Sequence, residues 1–166
     1  MGFSFLTHSV TQLTPERTLV ILTYEVGAFI DTLGKSRDFG RTELSDIVSM
    51  TRMFCEQVGV DYDALLEPFD PIGRFNVELI LKLAVSLGKL AQSYHYTNMF
   101  GSSLHHDDLP TSLREFIHTC RRCCFSLRWD YFDIQDMGER KYMERMAHIK
   151  QDGRKEVLKE VTPNAD

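Results

Sequence analysis

Residues 42–65 recur 69 positions later as residues 111–134, and this internal repeat constrains the fold more than any other feature of the chain. The register pairs Thr42 with Thr111, Leu44 with Leu113, Arg52 with Arg121, Cys55 with Cys124, Asp61 with Asp130 and Tyr62 with Tyr131. These are six identities in 24 positions, where average composition would give roughly one or two. Apolar character is also kept at Ile47/Phe116, Val48/Ile117, Val58/Leu127 and Leu65/Ile134. The helices that precede each segment align with a shift of 61, Leu22 on Leu83 and Gly27 on Gly88, so the second loop is longer by eight residues, 69 minus 61. Each half reads as a helix, a loop, a helix and a tail. A helical hairpin cannot bury its apolar face alone, and two of them packed together make a four-helix bundle.

The local signals agree with an all-α chain. Thr14-Pro15-Glu16 is a helix start, with Thr14 as N-cap and proline where its missing N–H costs nothing. Leu19, Leu22, Val26, Phe29, Ile30 and Leu33 then form one apolar stripe that ends at Gly34. A basic loop from Gly34 to Gly40 leads to a second helix, capped by Thr42, striped by Leu44, Ile47, Val48, Thr51, Cys55 and Val58, and stopped by Gly59. A third helix over about 76–96 carries Leu79, Leu83, Leu87 and Leu90 on one side. A fourth starts at Thr111 or Ser112, where Ser112 and Glu115 have capping-box spacing, and a charged fifth covers about 135–150. The expected architecture is one all-α domain over 1–150, with repeat halves at about 14–72 and 76–142, a C-terminal helix, and a polar tail over 151–166 that frays.

Composition narrows the class of partner. Nineteen Lys and Arg against 24 Asp and Glu give a net charge of -5, which supplies no general attraction to nucleic acid or to anionic membranes. No apolar run approaches the roughly 18 residues of a membrane span, and Met1 to His8 lack the basic start of a secretory signal, so the expected compartment is the cytoplasm. Three of the four cysteines, Cys120, Cys123 and Cys124, crowd into one helix with Cys55 elsewhere, a pattern of reduced thiols and not of a disulfide framework.

Three carboxylates form the first candidate site. Glu25 lies about 40° outside the apolar stripe of its helix, where a bundle interior meets a cleft. Glu43 and Asp46 are three residues apart on the next helix, so both can reach one hard cation such as Mg²⁺. The same two acids also suit a helix start, through the helix dipole. Weaker candidates are a zinc site from His118 with the cysteines, within an uninterrupted helix beside Arg121 and Arg122, both read as surface residues, and His105-His106-Asp107-Asp108 in a loop. Trp129, Tyr131 and Phe132 are either core or the lining of a base pocket.

These residues carry a resemblance. Tyr24-Glu25-Val26-Gly27-Ala28-Phe29, followed by Thr42-Glu43-Leu44-Ser45-Asp46-Ile47-Val48, resembles the MazG-like all-α nucleoside triphosphate pyrophosphatases, whose pattern is E-x-x-E and then E-x-x-D on the next helix. Gly59-Val60-Asp61 looks like the family's helix-ending segment, and Gly138-Glu139-Arg140-Lys141-Tyr142 is similar to its N-x-R-K-Y segment. The resemblance implies Mg²⁺-dependent hydrolysis of a nucleoside triphosphate, often a deoxynucleotide, to a monophosphate and pyrophosphate. It puts Glu25, Glu43 and Asp46 at metal-ligand, catalytic positions, with Lys35, Arg140 and Lys141 expected at the phosphates. The chain departs from the pattern at Ala28, where the second glutamate of E-x-x-E would stand, with Asp31 one turn beyond as a partial substitute. The matching positions of the second half, Ser86, Lys89, Ser112 and Glu115, leave one live site. The alternative is a catalytically silent relative that binds nucleotide or protein, and a homo-oligomer is compatible with either.

Overall fold

The computed structural model describes residues 13–33, 35, 37–100 and 108–161, with only the helical backbone described at 37–39, 100 and 150–161. The described residues are all-helical, with no strand: α1 (Pro15–Thr32), α2 (Arg37–Val58), α3 (Asp63–Leu66), α4 (Val77–Phe100), α5 (Leu109–Leu127) and α6 (Tyr131–Val161). None of the helices is long and apolar enough to cross a membrane.

Side chains that accept from otherwise unpaired amides set most helix starts. Thr14 caps α1 as expected, accepting from the Arg17 amide. Asn76 Oδ1 accepts from Leu79 N at the start of α4. At α5 the cap is Asp108, which accepts from Thr111 N at 2.8 Å, so the helix begins before the expected Thr111 or Ser112 and contains Pro110 in its first turn. Asp130 accepts from Phe132 N and Asp133 N, which starts α6 at Tyr131 and not near Gln135. The second helix likewise starts at Arg37, so Thr42 lies inside it and the connection from α1 is shorter than the expected Gly34–Gly40 loop. Gly40 is buried in α2 beside Trp129, Leu33 and Phe29, and this packing outweighs the low helix propensity of glycine. α4 continues to Phe100, beyond 96, and α6 continues to Val161, through much of the stretch expected to fray.

The apolar stripes form one core. Leu22, Val26 and Phe29 of α1, Leu44, Ile47, Val48 and Cys55 of α2, Leu79, Leu83, Leu87 and Leu90 of α4, and Leu113, Phe116 and Ile117 of α5 are all buried. Ile30, expected in the α1 stripe, is partly exposed. α1 packs along α2, α4 along α5, and α6 along α2, while α1 touches α4 and α2 touches α5. Tyr94 on α4 donates to Glu16 on α1 at 2.6 Å, which ties the two first helices together.

Several contacts recur at the 69-residue interval. Val60 N donates to Cys55 O and Trp129 N to Cys124 O, each at 2.9 Å, and between them Gly59 and Arg128 both hold positive φ, +71° and +61°. These are the same left-handed helix ending, with the amide reaching back across the last turn. Asp61 accepts from Asp63 N and Ala64 N as Asp130 does from Phe132 N and Asp133 N. Arg121, expected at the surface, is buried: it donates to the Leu66 carbonyl, reaches Glu67 at 3.2 Å and stacks 4.0 Å from the Phe69 ring centroid. Arg122 is half-buried.

A candidate carboxylate centre between α1, α2 and α6

Glu25, Glu43 and Asp46 converge: one oxygen from each lies within 4.8 Å of the other two. The placement follows from the stripes. Glu25 neighbours Leu22 and Val26, which anchor α1 in the core, and Glu43 and Asp46 neighbour Leu44 and Ile47, which anchor α2. With those faces buried against each other, the three acids meet at the seam. Asp46 is buried, and Glu25 and Glu43 are half-buried.

The concentration of negative charge is visible in protonation. Burial, reinforced by Asp46 and by a hydrogen bond to Glu43, pushes the Glu25 carboxyl up to about 7, although Arg145 opposes the shift. The donor set consists of carboxylate oxygens alone, which is the chemistry of a hard divalent cation. These three residues could hold one, with further positions left to water or to substrate oxygens.

Two cations close the site from α6. Lys141 Nζ lies 2.6 Å from Asp46 Oδ2 and 3.2 Å from the Thr42 carbonyl, and Arg145 Nη2 lies 3.4 Å from the same Asp46 oxygen. Their helix comes this close because residue 138 is glycine. A Cβ there would sit 2.2 Å from the Ser45 carbonyl oxygen and 3.0 Å from Ser49 Cβ, so any side chain would push α6 off α2.

Not every expected residue reaches the site. Lys35 pairs with Asp31 at 2.5 Å on the exposed end of α1, which places neither at the carboxylates and removes Asp31 as a substitute for the missing glutamate. Arg140 points to the other side of α6, where its Nε donates to the Asp136 carbonyl beside an open groove. At the positions 61 and 69 residues further on the constellation is absent: Lys89 pairs with Glu115 at 3.1 Å, and Ser93 and Ser112 share a 2.6 Å hydrogen bond. Among the described residues no other cluster of three metal-type ligands occurs. His118 Nε2 donates to the Leu65 carbonyl, and burial holds its ring below the usual histidine range. The four cysteines are buried and free, and burial pushes the Cys55 and Cys123 thiols up to about 12, the behaviour of small core side chains. His105, His106 and Asp107 lie outside the described residues.

No family model, curated protein or solved structure matches this chain. The site is therefore read from its own residues. Arg145 is the functional candidate that sequence reasoning missed; its signal was the four-residue spacing from Lys141, which puts both on one face of α6.

Proposed function

We propose that the chain is a Mg²⁺-dependent nucleoside triphosphate pyrophosphatase of the MazG-like kind, built as a four-helix bundle from two tandem helical hairpins with α6 as an added C-terminal helix. The single observation that carries this reading is the convergence of Glu25, Glu43 and Asp46 within 4.8 Å at the seam of the first hairpin. In this reading the three carboxylates hold the cation. When bound, Mg²⁺ neutralises phosphate charge and lowers the pKa of a coordinated water. The residues of the chain then divide the remaining work. Lys141 and Arg145, now on Asp46, turn to the phosphate oxygens that carry the leaving pyrophosphate, where positive charge stabilises the transition state. The second hairpin, with Lys89 on Glu115 in place of a cluster, covers the first as a built-in partner.

A second reading rests on a specific contact. The Lys141 ammonium 2.6 Å from Asp46 is an internal cation on the carboxylates, and with Ala28 in place of a fourth ligand it favours a catalytically silent nucleotide- or protein-binding relative. A screen of ribo- and deoxynucleoside triphosphates for pyrophosphate release with Mg²⁺ separates the two. The enzyme reading expects release that Asp46→Ala abolishes. Absence of release from every triphosphate, together with Mg²⁺ binding unchanged by Asp46→Ala, would leave the silent reading.

A further inference from the structure

Two hollows meet at Gly73 and Arg74, on the connection between α3 and α4, and neither shares a residue with the carboxylate centre. The smaller, about 160 Å³, lies against the first turn of α4 and gathers Arg74, Lys82 and Arg122 around Asn76 and one carboxylate, Glu78. None of these three cations takes part in an ion pair or hydrogen bond among the described residues, and the Arg122 Nε is buried with no partner. Arg52 is matched by Glu139, Arg121 by Glu67 and Lys141 by Asp46, whereas the Nε of half-buried Arg41 shares with that of Arg122 the lack of a partner. Three cations against one carboxylate, Glu78, give this hollow a local positive charge in a chain of net charge -5, which favours an anion there.

The larger hollow, about 860 Å³, is lined by Phe75, Phe125 and Trp129 with Arg128 beside them. Its size suits a small organic ligand, and its lining supplies aromatic surface for a planar heterocycle. Phe125 is 52% exposed, a large aromatic surface open to solvent. Arg74 lines both hollows, so a ligand with an anionic end and a planar end would bridge them. Guanidinium groups match phosphate oxygens in pairs and also stack on rings.

We propose that the two hollows form one mononucleotide-binding site, with phosphates among Arg74, Lys82 and Arg122 and the base against Phe75, Phe125 and Trp129. A ring-free polyphosphate would leave the aromatic wall unused. A polynucleotide would need a continuous cationic track, and the cations here are gathered into one small hollow. The site works without the carboxylates, so it stands or falls independently of the pyrophosphatase reading.

Trp129 is the only tryptophan, and its emission reports on the site directly. The full chain is titrated in EDTA with ATP, with tripolyphosphate and with a short oligothymidylate, by fluorescence and by isothermal calorimetry. ATP is expected to change Trp129 emission saturably and to bind tighter than either comparison ligand. Arg74→Glu and Lys82→Glu, both at exposed positions whose folding is checked by circular dichroism, should weaken ATP at least tenfold. Phe125→Ala should weaken ATP several-fold and leave tripolyphosphate unchanged. The proposal is overturned by the absence of saturable binding, by equal affinity for ATP and tripolyphosphate, by tighter binding of the oligonucleotide, or by ATP affinity unchanged in Arg74→Glu and Lys82→Glu.

Discussion

The hydroxyls of Tyr62 and Tyr131, 69 residues apart in the chain, share a 2.5 Å hydrogen bond in the buried core. The interval equals the sequence repeat, so residues that match in register also meet in space. Their surroundings match as well, with Arg52 5.7 Å from the Tyr62 ring centroid and Arg121 5.4 Å from that of Tyr131. Burial pushes both phenols above the usual tyrosine range, so each stays protonated and one donates to the other. Two copies of one hairpin related by a two-fold axis would place equivalent residues in this way on the axis. Tyr62→Phe should cost about 1–2 kcal/mol, because it strands the Tyr131 hydroxyl in the core, and Tyr131→Phe should cost less, because the Tyr62 hydroxyl keeps Gln135 Oε1 at 3.3 Å. The double variant should cost less than the sum, a non-additivity that a double-mutant cycle in urea measures.

Gly138→Ala tests the approach of α6 to α2. The added methyl meets the Ser45 carbonyl, so α6 must shift, and a loss of about 1–3 kcal/mol is expected from thermal or urea unfolding. The same shift moves Lys141 and Arg145 away from Asp46, so the Lys141 ammonium should also lose its carboxylate contact in nuclear magnetic resonance spectra.

The two left-handed helix endings differ in cost. Gly59 adopts its positive φ freely, whereas Arg128 holds +61° against the strain of its Cβ. Arg128→Gly should raise stability by up to about 1 kcal/mol, and Gly59→Ala should lower it by about as much. Equal and unchanged melting temperatures for both variants would contradict the shared geometry.

The Glu25 carboxyl gives the fold a pH dependence of known sign. Its pKa rises from 4.5 in the unfolded chain to about 7 in the folded one, so between those values the folded chain holds a proton the unfolded chain has released. Its contribution to stability is complete below 4.5 and is lost as pH rises through about 7. Because the side chain is half exposed, solvent screening reduces the effect to about 1 kcal/mol. Glu25→Gln should flatten the fall in stability between pH 5 and 8, as read from urea midpoints. Should Mg²⁺ occupy the site, protons released on binding near pH 6 would register the same group by calorimetry.

Ala28→Glu asks whether the cluster is a ligand set short of one member. Position 28 is one turn from Glu25, so a carboxylate there would face the same seam. Under the pyrophosphatase reading, Mg²⁺ affinity and pyrophosphate release should both rise, release by on the order of a hundredfold for a few kcal/mol of added stabilisation. A variant in which neither changes would mean that the acids serve the helices alone.

The helical class, the buried faces and the three acids were legible in the sequence because they rest on periodicity, which a helix converts directly into sides. Leu22, Val26 and Phe29, and Leu44, Ile47 and Val48, had to face a common core, and Glu25, Glu43 and Asp46 sit at fixed angles to them. Local chemistry also showed the Thr14 cap and the Gly59 stop. The starts of α2, α5 and α6 were not legible, since Gly40 in a helix and Asp108 or Asp130 as caps depend on neighbours distant in the chain or on competition among several capping residues. Nor could the sequence rank its own cations. Lys35, Arg140 and Lys141 are alike as letters, but only Lys141 faces α2, because Gly138 lets one side of α6 press against Ser45 and turns Arg140 outward. Periodicity tells which side of a helix is buried; which helix it is buried against, and at what distance, is decided by packing between residues far apart in the chain, and that is where the carboxylates gained Lys141 and Arg145.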